Sequence, residues 1–105
     1  MTSPQGYKLL VSYDYIPDRE MAYRRFMIHQ WLPAMQALGL EPMALYHTLW
    51  GAYPVRLVVL YAPNETVIRR ALIGEDGLLW RRRLEEYVVN LSYCIVPARA
   101  WFQFC

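Results

Sequence analysis

Val55-Arg56-Leu57-Val58-Val59-Leu60-Tyr61-Ala62 is the stretch on which the fold turns. Branched and aromatic side chains crowd it, and such residues favour the extended, pleated backbone of a strand. Alternate side chains of a strand point to opposite faces, so Leu57, Val59 and Tyr61 share one side and Val58 and Leu60 the other. A sheet with one wet face alternates apolar with polar residues. Here both faces are apolar, so both need covering.

Working outward, Tyr7 to Ile16 also alternates, with Tyr7, Leu9, Val11, Tyr13 and Tyr15 on one side. Pro17-Asp18 turns the chain, and Asp18 is placed to cap a helix over Arg19 to Leu38. Met27, Ile28, Trp31, Met35 and Leu38 make its apolar stripe, and Gly39 supplies the stop. Pro33 interrupts that pattern, which predicts a kink near Gln30–Leu32. Glu41 to Trp50 reads as a second strand, Gly51 to Pro54 as a turn, and Val55 to Ala62 as the third strand. Asn64 caps a helix to about Ile73, broken around Gly74–Gly77 and resuming to about Val88 with Trp80, Leu84, Tyr87 and Val88 on one side. Leu91 to Val96 is the last strand. The order β-α-β-β-α-β predicts a ferredoxin-like α+β domain over residues 1–105: a four-stranded antiparallel sheet with two helices on one face. Two helices cover one face only. A second copy of the same sheet is the economical cover for the other, so a homodimer through the helix-free face is expected.

Composition narrows the function classes. The 105 residues are 56% hydrophobic and 19% charged with a formal net charge of +2, too little positive charge for a nucleic-acid footprint. No apolar run approaches the roughly 20 residues that span a bilayer. The first residues, Met1 to Gly6, lack the basic and apolar regions of a signal peptide, and Cys94 and Cys105 read as ordinary thiols without metal-ligand spacing. The expectation is a soluble cytoplasmic domain with no metal and no cofactor. No phosphate loop, zinc motif or Ser-His-Asp order appears, so no residue is given a catalytic role.

What the sequence offers instead is a candidate pocket lining. If the hairpin loop has an even length, Tyr46, Thr48 and Trp50 join Leu57, Val59 and Tyr61, while His47 joins the opposite face. Placing Tyr13 of the first strand with them gives one aromatic face, expected toward the helices, with Arg24 and Trp31 of the first helix above it. The ligand-lining candidates are therefore Tyr13, Arg24, Trp31, Tyr46, Trp50 and Tyr61. Tyrosine and tryptophan suit a ligand site because each joins an apolar body to a hydrogen-bonding tip, and the same residues equally make an aromatic core. Arg24 either sits at the rim or meets an anion. His29 lies off the stripe and reads as solvent-facing. Asp14 is expected to pair with Arg56 or His47 on the partner-facing side.

The chain resembles the NIPSNAP-like and EthD-like members of the dimeric α+β barrel superfamily. The likeness rests on Tyr7-Lys8-Leu9-Leu10, on Phe26 through Trp31-Leu32-Pro33, on Arg56-Leu57-Val58-Val59-Leu60-Tyr61 and on Trp80. The resemblance implies sheet-to-sheet dimers. Because the superfamily holds enzymes as well as proteins without known activity, the resemblance does not choose a function. The aromatic face carries the functional expectation: a small apolar or aromatic ligand bound between sheet and helices, with a cofactor-free monooxygenase or polyketide-cyclase-like enzyme as the alternative.

Overall fold

The alternating strands pair into one antiparallel sheet in the order β2-β3-β1-β4. The computed structural model describes residues 6–50 and 53–98, with side chains at 15, 17, 46–50 and 53–55 outside that description. β1 spans Tyr7–Tyr15 and a 3-10 turn covers Pro17–Arg19. The first helical arm comprises α1 (Glu20–Phe26), a π-helical turn (Met27–Trp31) and α2 (Leu32–Ala37). β2 (Glu41–Trp50) and β3 (Tyr53–Ala62) form a hairpin. The second arm is α3 (Glu65–Ile73) and α4 (Glu75–Leu84), and β4 (Val88–Pro97) closes the sheet. This is the predicted order, with β3 starting two residues earlier than expected and β4 three.

The ladder decides which face is which. Leu9 pairs with Leu60, Val11 with Val58 and Tyr13 with Arg56. Leu9, Val11, Tyr13, Val58 and Leu60 are buried in one core with Tyr23, Phe26, Met27 and Trp31 of the first arm and Ile68, Ala71 and Leu84 of the second. Leu57, Val59 and Tyr61 therefore lie on the helix-free face, the reverse of the expected assignment. The hairpin parity itself is even, since Trp50 pairs with Tyr53. What differs is the match of β1 to β3, because β3 is apolar on both sides.

The first arm reaches its course through Pro33. Proline has no N–H to donate, and its ring would crowd the carbonyl of His29 in an unbroken α-helix. The chain widens instead into one π turn, in which the Leu32 N–H reaches back to the Met27 carbonyl. That turn also explains a spacing. The buried positions Tyr23, Met27, Trp31 and Met35 are each four apart. In a pure α-helix such a row drifts by about 40° per step, and a wider turn brings it back. Ile28, counted in the apolar stripe from the sequence, is rotated outward and is 61% exposed. The arm ends at Gly39 (φ 98°), where the Leu40 N–H bonds the Met35 carbonyl in a Schellman-type closure.

The second arm is pressed together. The Asn64 side chain caps α3 by accepting from the Val67 N–H at 3.0 Å, and the predicted break is confined to Gly74. A Cβ at Gly77 would fall 1.6 Å from the Ala71 carbonyl oxygen, so only glycine lets α4 approach α3 this closely. Phe26 of the first arm stacks on Tyr87 at 4.7 Å and meets Trp80 at 6.1 Å, joining the two arms over the sheet.

Asp14 does not share a face with Arg56, which pairs with Tyr13; it accepts from the Asn90 side-chain amide at 2.8 Å, and the side chain of His47 lies outside the described residues. Asn90 adopts the left-handed conformation (φ 58°) where the β1–β4 register shifts between Ser12 and Asp14. Cys94 is disulfide-bonded rather than a free thiol, with its partner sulfur outside the described residues. Among the described residues no helix is long and apolar enough to cross a membrane.

Candidate functional site

A cleft of about 510 Å³ opens between the first helical arm and the β2–β3 floor. The arm contributes Tyr23, Arg24, Met27, Ile28 and Leu32; the floor contributes Pro42, Met43, Ala44, Leu45, Arg56 and Val58. A β-bulge between Pro42 and Ala44 shapes the floor. Pro42 pairs with Leu60 and Leu45 with Val58, so the extra residue turns both toward the arm although they stand three apart. Proline is tolerated there because β2 is an edge strand.

The cleft is mainly apolar, with one polar cluster at its inner end. Arg56 lies in the floor with only 6% of its surface exposed, and its guanidinium sits 5.5 Å from the centroid of the Tyr23 ring. The Tyr13 and Tyr23 hydroxyls hydrogen-bond to each other, and their rings meet edge to face at 5.7 Å. Burial pushes the Tyr13 hydroxyl well above the usual phenol range. The neighbouring Tyr23 adds to that shift and the Arg56 guanidinium opposes it. Tyr13 is thus a protonated donor or acceptor at neutral pH and no tyrosinate base.

The six predicted lining residues are not brought together. Arg24 does line the cleft, at its rim, with its side chain 60% exposed and 3.7 Å from Glu20. Tyr13 stands behind the cleft through its bond to Tyr23. Trp31 is buried in the core outside the lining, and its indole N–H finds no hydrogen-bond partner among the described residues. Tyr61 is on the other side of the sheet, where it lies over Gly6; a Cβ on Gly6 would fall 2.1 Å from its ring. One cleft therefore cannot hold both Tyr13 and Tyr61. Tyr46 pairs with Leu57 and Trp50 with Tyr53 in the ladder, and their side chains lie outside the described residues. His29 is exposed, as expected.

Sequence reasoning missed Tyr23, Met27 and Arg56 as lining residues. The four-residue spacing from Tyr23 to Met35 was a usable signal for the first two. For Arg56 the signal was its alternation with Val58 and Leu60, once those are turned to the helices. The described residues contain no cluster of His, Cys, Asp and Glu that could hold a metal ion.

No protein-family model matches the chain, and no curated protein is similar to it in sequence. Solved structures do match. A NIPSNAP family protein from Agrobacterium tumefaciens strain C58 superposes with a TM-score of 0.67 at 10% identity, over 94% of this chain and 91% of that one. An EthD family protein from Bacillus halodurans gives 0.60 at 15% identity, over 86% and 95%. A protein provisionally assigned as an antibiotic biosynthesis monooxygenase, from Nitrosomonas europaea, gives 0.66 at 10% identity, over 94% and 95%. The chain thus has the α+β fold of NIPSNAP-like and EthD-like proteins, as its sequence resemblance implies. Likeness at these identities defines the fold, and one fold hosts many functions.

Proposed function

We propose that this domain binds a small apolar or aromatic molecule in the cleft between the first helical arm and the β2–β3 floor. The observation behind this reading is the cleft itself: about 510 Å³, within the roughly 300–1,000 Å³ of small-molecule sites. Its lips agree. Ile28, Met43 and Leu45 line it while 61%, 57% and 55% exposed, the kind of apolar surface a ligand would cover. Methionines at 27 and 43 give an adaptable wall. The test is saturable binding of a neutral apolar dye such as Nile red. Ile28→Trp, at an exposed position, should fill the cleft and abolish binding without unfolding the protein. Unsaturable dye uptake, or uptake indifferent to the tryptophan, overturns the reading.

The enzyme alternative gains less support. Among the described lining residues no His, Cys, Asp or Glu is available to move a proton, and Tyr13 is held protonated.

With ligand binding goes a homodimer through the helix-free face, which carries Leu10, Leu57, Val59 and Tyr61 away from the described helices. Sedimentation should give a dimer for the wild type and a monomer for Leu57→Glu; a folded wild-type monomer at micromolar concentration rejects it. A cytoplasmic location is proposed on sequence grounds, and Cys94 tests it. A disulfide persisting in intact cells would place the domain in an oxidising compartment instead.

A further inference from the structure

From the charge distribution inside the cleft, we infer that its ligand is an amphipathic organic anion whose acidic oxygens are held by Arg56 while its apolar body runs out toward Met27, Leu45 and Ile28. The inference rests on the cleft being a ligand site and adds the chemistry of the head group. Among the described lining residues the charged ones are arginines, Arg56 in the floor and Arg24 at the rim, with no carboxylate. Their depths differ. The Arg24 side chain is 60% exposed, whereas Arg56 is 6% exposed and lies beside the Tyr23 ring.

Placing a guanidinium that deep costs solvation, and in an apolar site its charge acts at close range with little screening by water. Its planar fork matches a carboxylate better than an ammonium would. The apolar residues extend from that inner end to the exposed lips, so the site has a polar terminus and a greasy path leading away from it. A head group binding at Arg56 would be oriented, with the tail at the mouth.

Displacement of Nile red by dodecanoate, dodecanol and methyl dodecanoate, all below their aggregation limits, separates this inference from the general reading. An apolar cleft without an anion site prefers the neutral compounds, because the carboxylate must be stripped of water. The inference expects the opposite order, with dodecanoate displacing the dye at a concentration about tenfold lower, equivalent to about 1.4 kcal/mol. Arg56→Gln should restore the neutral preference while dye binding persists. Should that variant not fold, Arg56→Lys keeps the charge but loses the planar fork, and should narrow the lead of dodecanoate over dodecanol several-fold. Dodecanol binding as well as or better than dodecanoate overturns the anion site and leaves the ligand cleft standing. Failure of the dye itself to bind removes both.

Discussion

The two helical arms cover the same sheet in opposite ways. The second arm closes down, with Gly77 against the Ala71 carbonyl and Ile68, Ala71 and Leu84 sealed from solvent. The first arm, lifted by a π turn ahead of Pro33, leaves an open cleft walled by Met27 and floored by Arg56. Both arms bury core side chains, but only the first leaves a cleft beside them. The comparison teaches that one wide turn ahead of a proline goes with the open side of the sheet and one close glycine contact with the closed side.

The largest effect should come from the closed side. Leu84→Ala removes a fully buried side chain from a region with little freedom to relax, and should cost about 2–5 kcal/mol in chemical denaturation. Next comes Gly77→Ala. In an ordinary helix this exchange gains up to about 1 kcal/mol. Here the new methyl meets the Ala71 carbonyl, so a loss of about 1–3 kcal/mol is expected instead. A stabilised variant would show that α3 and α4 are not in contact at that point. On the open side, Met27→Ala enlarges an existing cleft rather than creating a sealed void, and should cost less than Leu84→Ala, about 1–2 kcal/mol. Equal losses at Met27 and Leu84 would erase the distinction between the arms.

The smallest effect is invisible at neutral pH. Each arm packs over one tyrosine whose hydroxyl is raised from its ordinary value of 10.0 chiefly by burial: Tyr93, beneath Arg81, to about 12, and Tyr13 further still. A raised phenol favours the folded state while protonated. That contribution is complete below pH 10 and is lost as pH climbs through the folded value, because the native state then keeps a proton the unfolded chain has released. Ultraviolet titration should show Tyr93 ionising near pH 12 and Tyr13 only with unfolding. Tyr13→Phe should flatten the alkaline decline in stability. A Tyr13 that ionises near pH 10 in the folded protein would mean the cluster beneath the cleft is wet.

Much of this was legible in the sequence. Element order followed from period-2 and period-3.6 patterns, and Asn64, Gly39 and the even hairpin all behave as read. The faces were harder. β1 alternates clearly, with Lys8, Ser12 and Asp14 on its second side, but β3 is apolar on both, so alternation alone cannot say which side of β3 meets the helices; grouping Tyr61 with Tyr13 sets it on the wrong side, since its ladder partner is Lys8. The candidate lining inherited that error. Arg56 was hidden for a different reason: a charged residue in a strand reads as solvent-facing or partner-facing. Only its ladder position opposite Tyr13, beneath the Tyr23 ring, explains its burial.

Gly6 beneath the Tyr61 ring has a consequence for how the chain avoids folding errors. The outer edge of the ring occupies the space a Cβ would need, so a side chain at position 6, just ahead of the first strand, has to displace the Tyr61 ring. A slip of two residues, the smallest that keeps the same side chains on the same face, would push Lys8 into that space. Strands that are greasy on both sides are otherwise prone to mispairing, since hydrophobicity alone does not penalise the wrong alignment. A notch and a ring act here as a gauge, favouring the native alignment of the first strand over a two-residue slip.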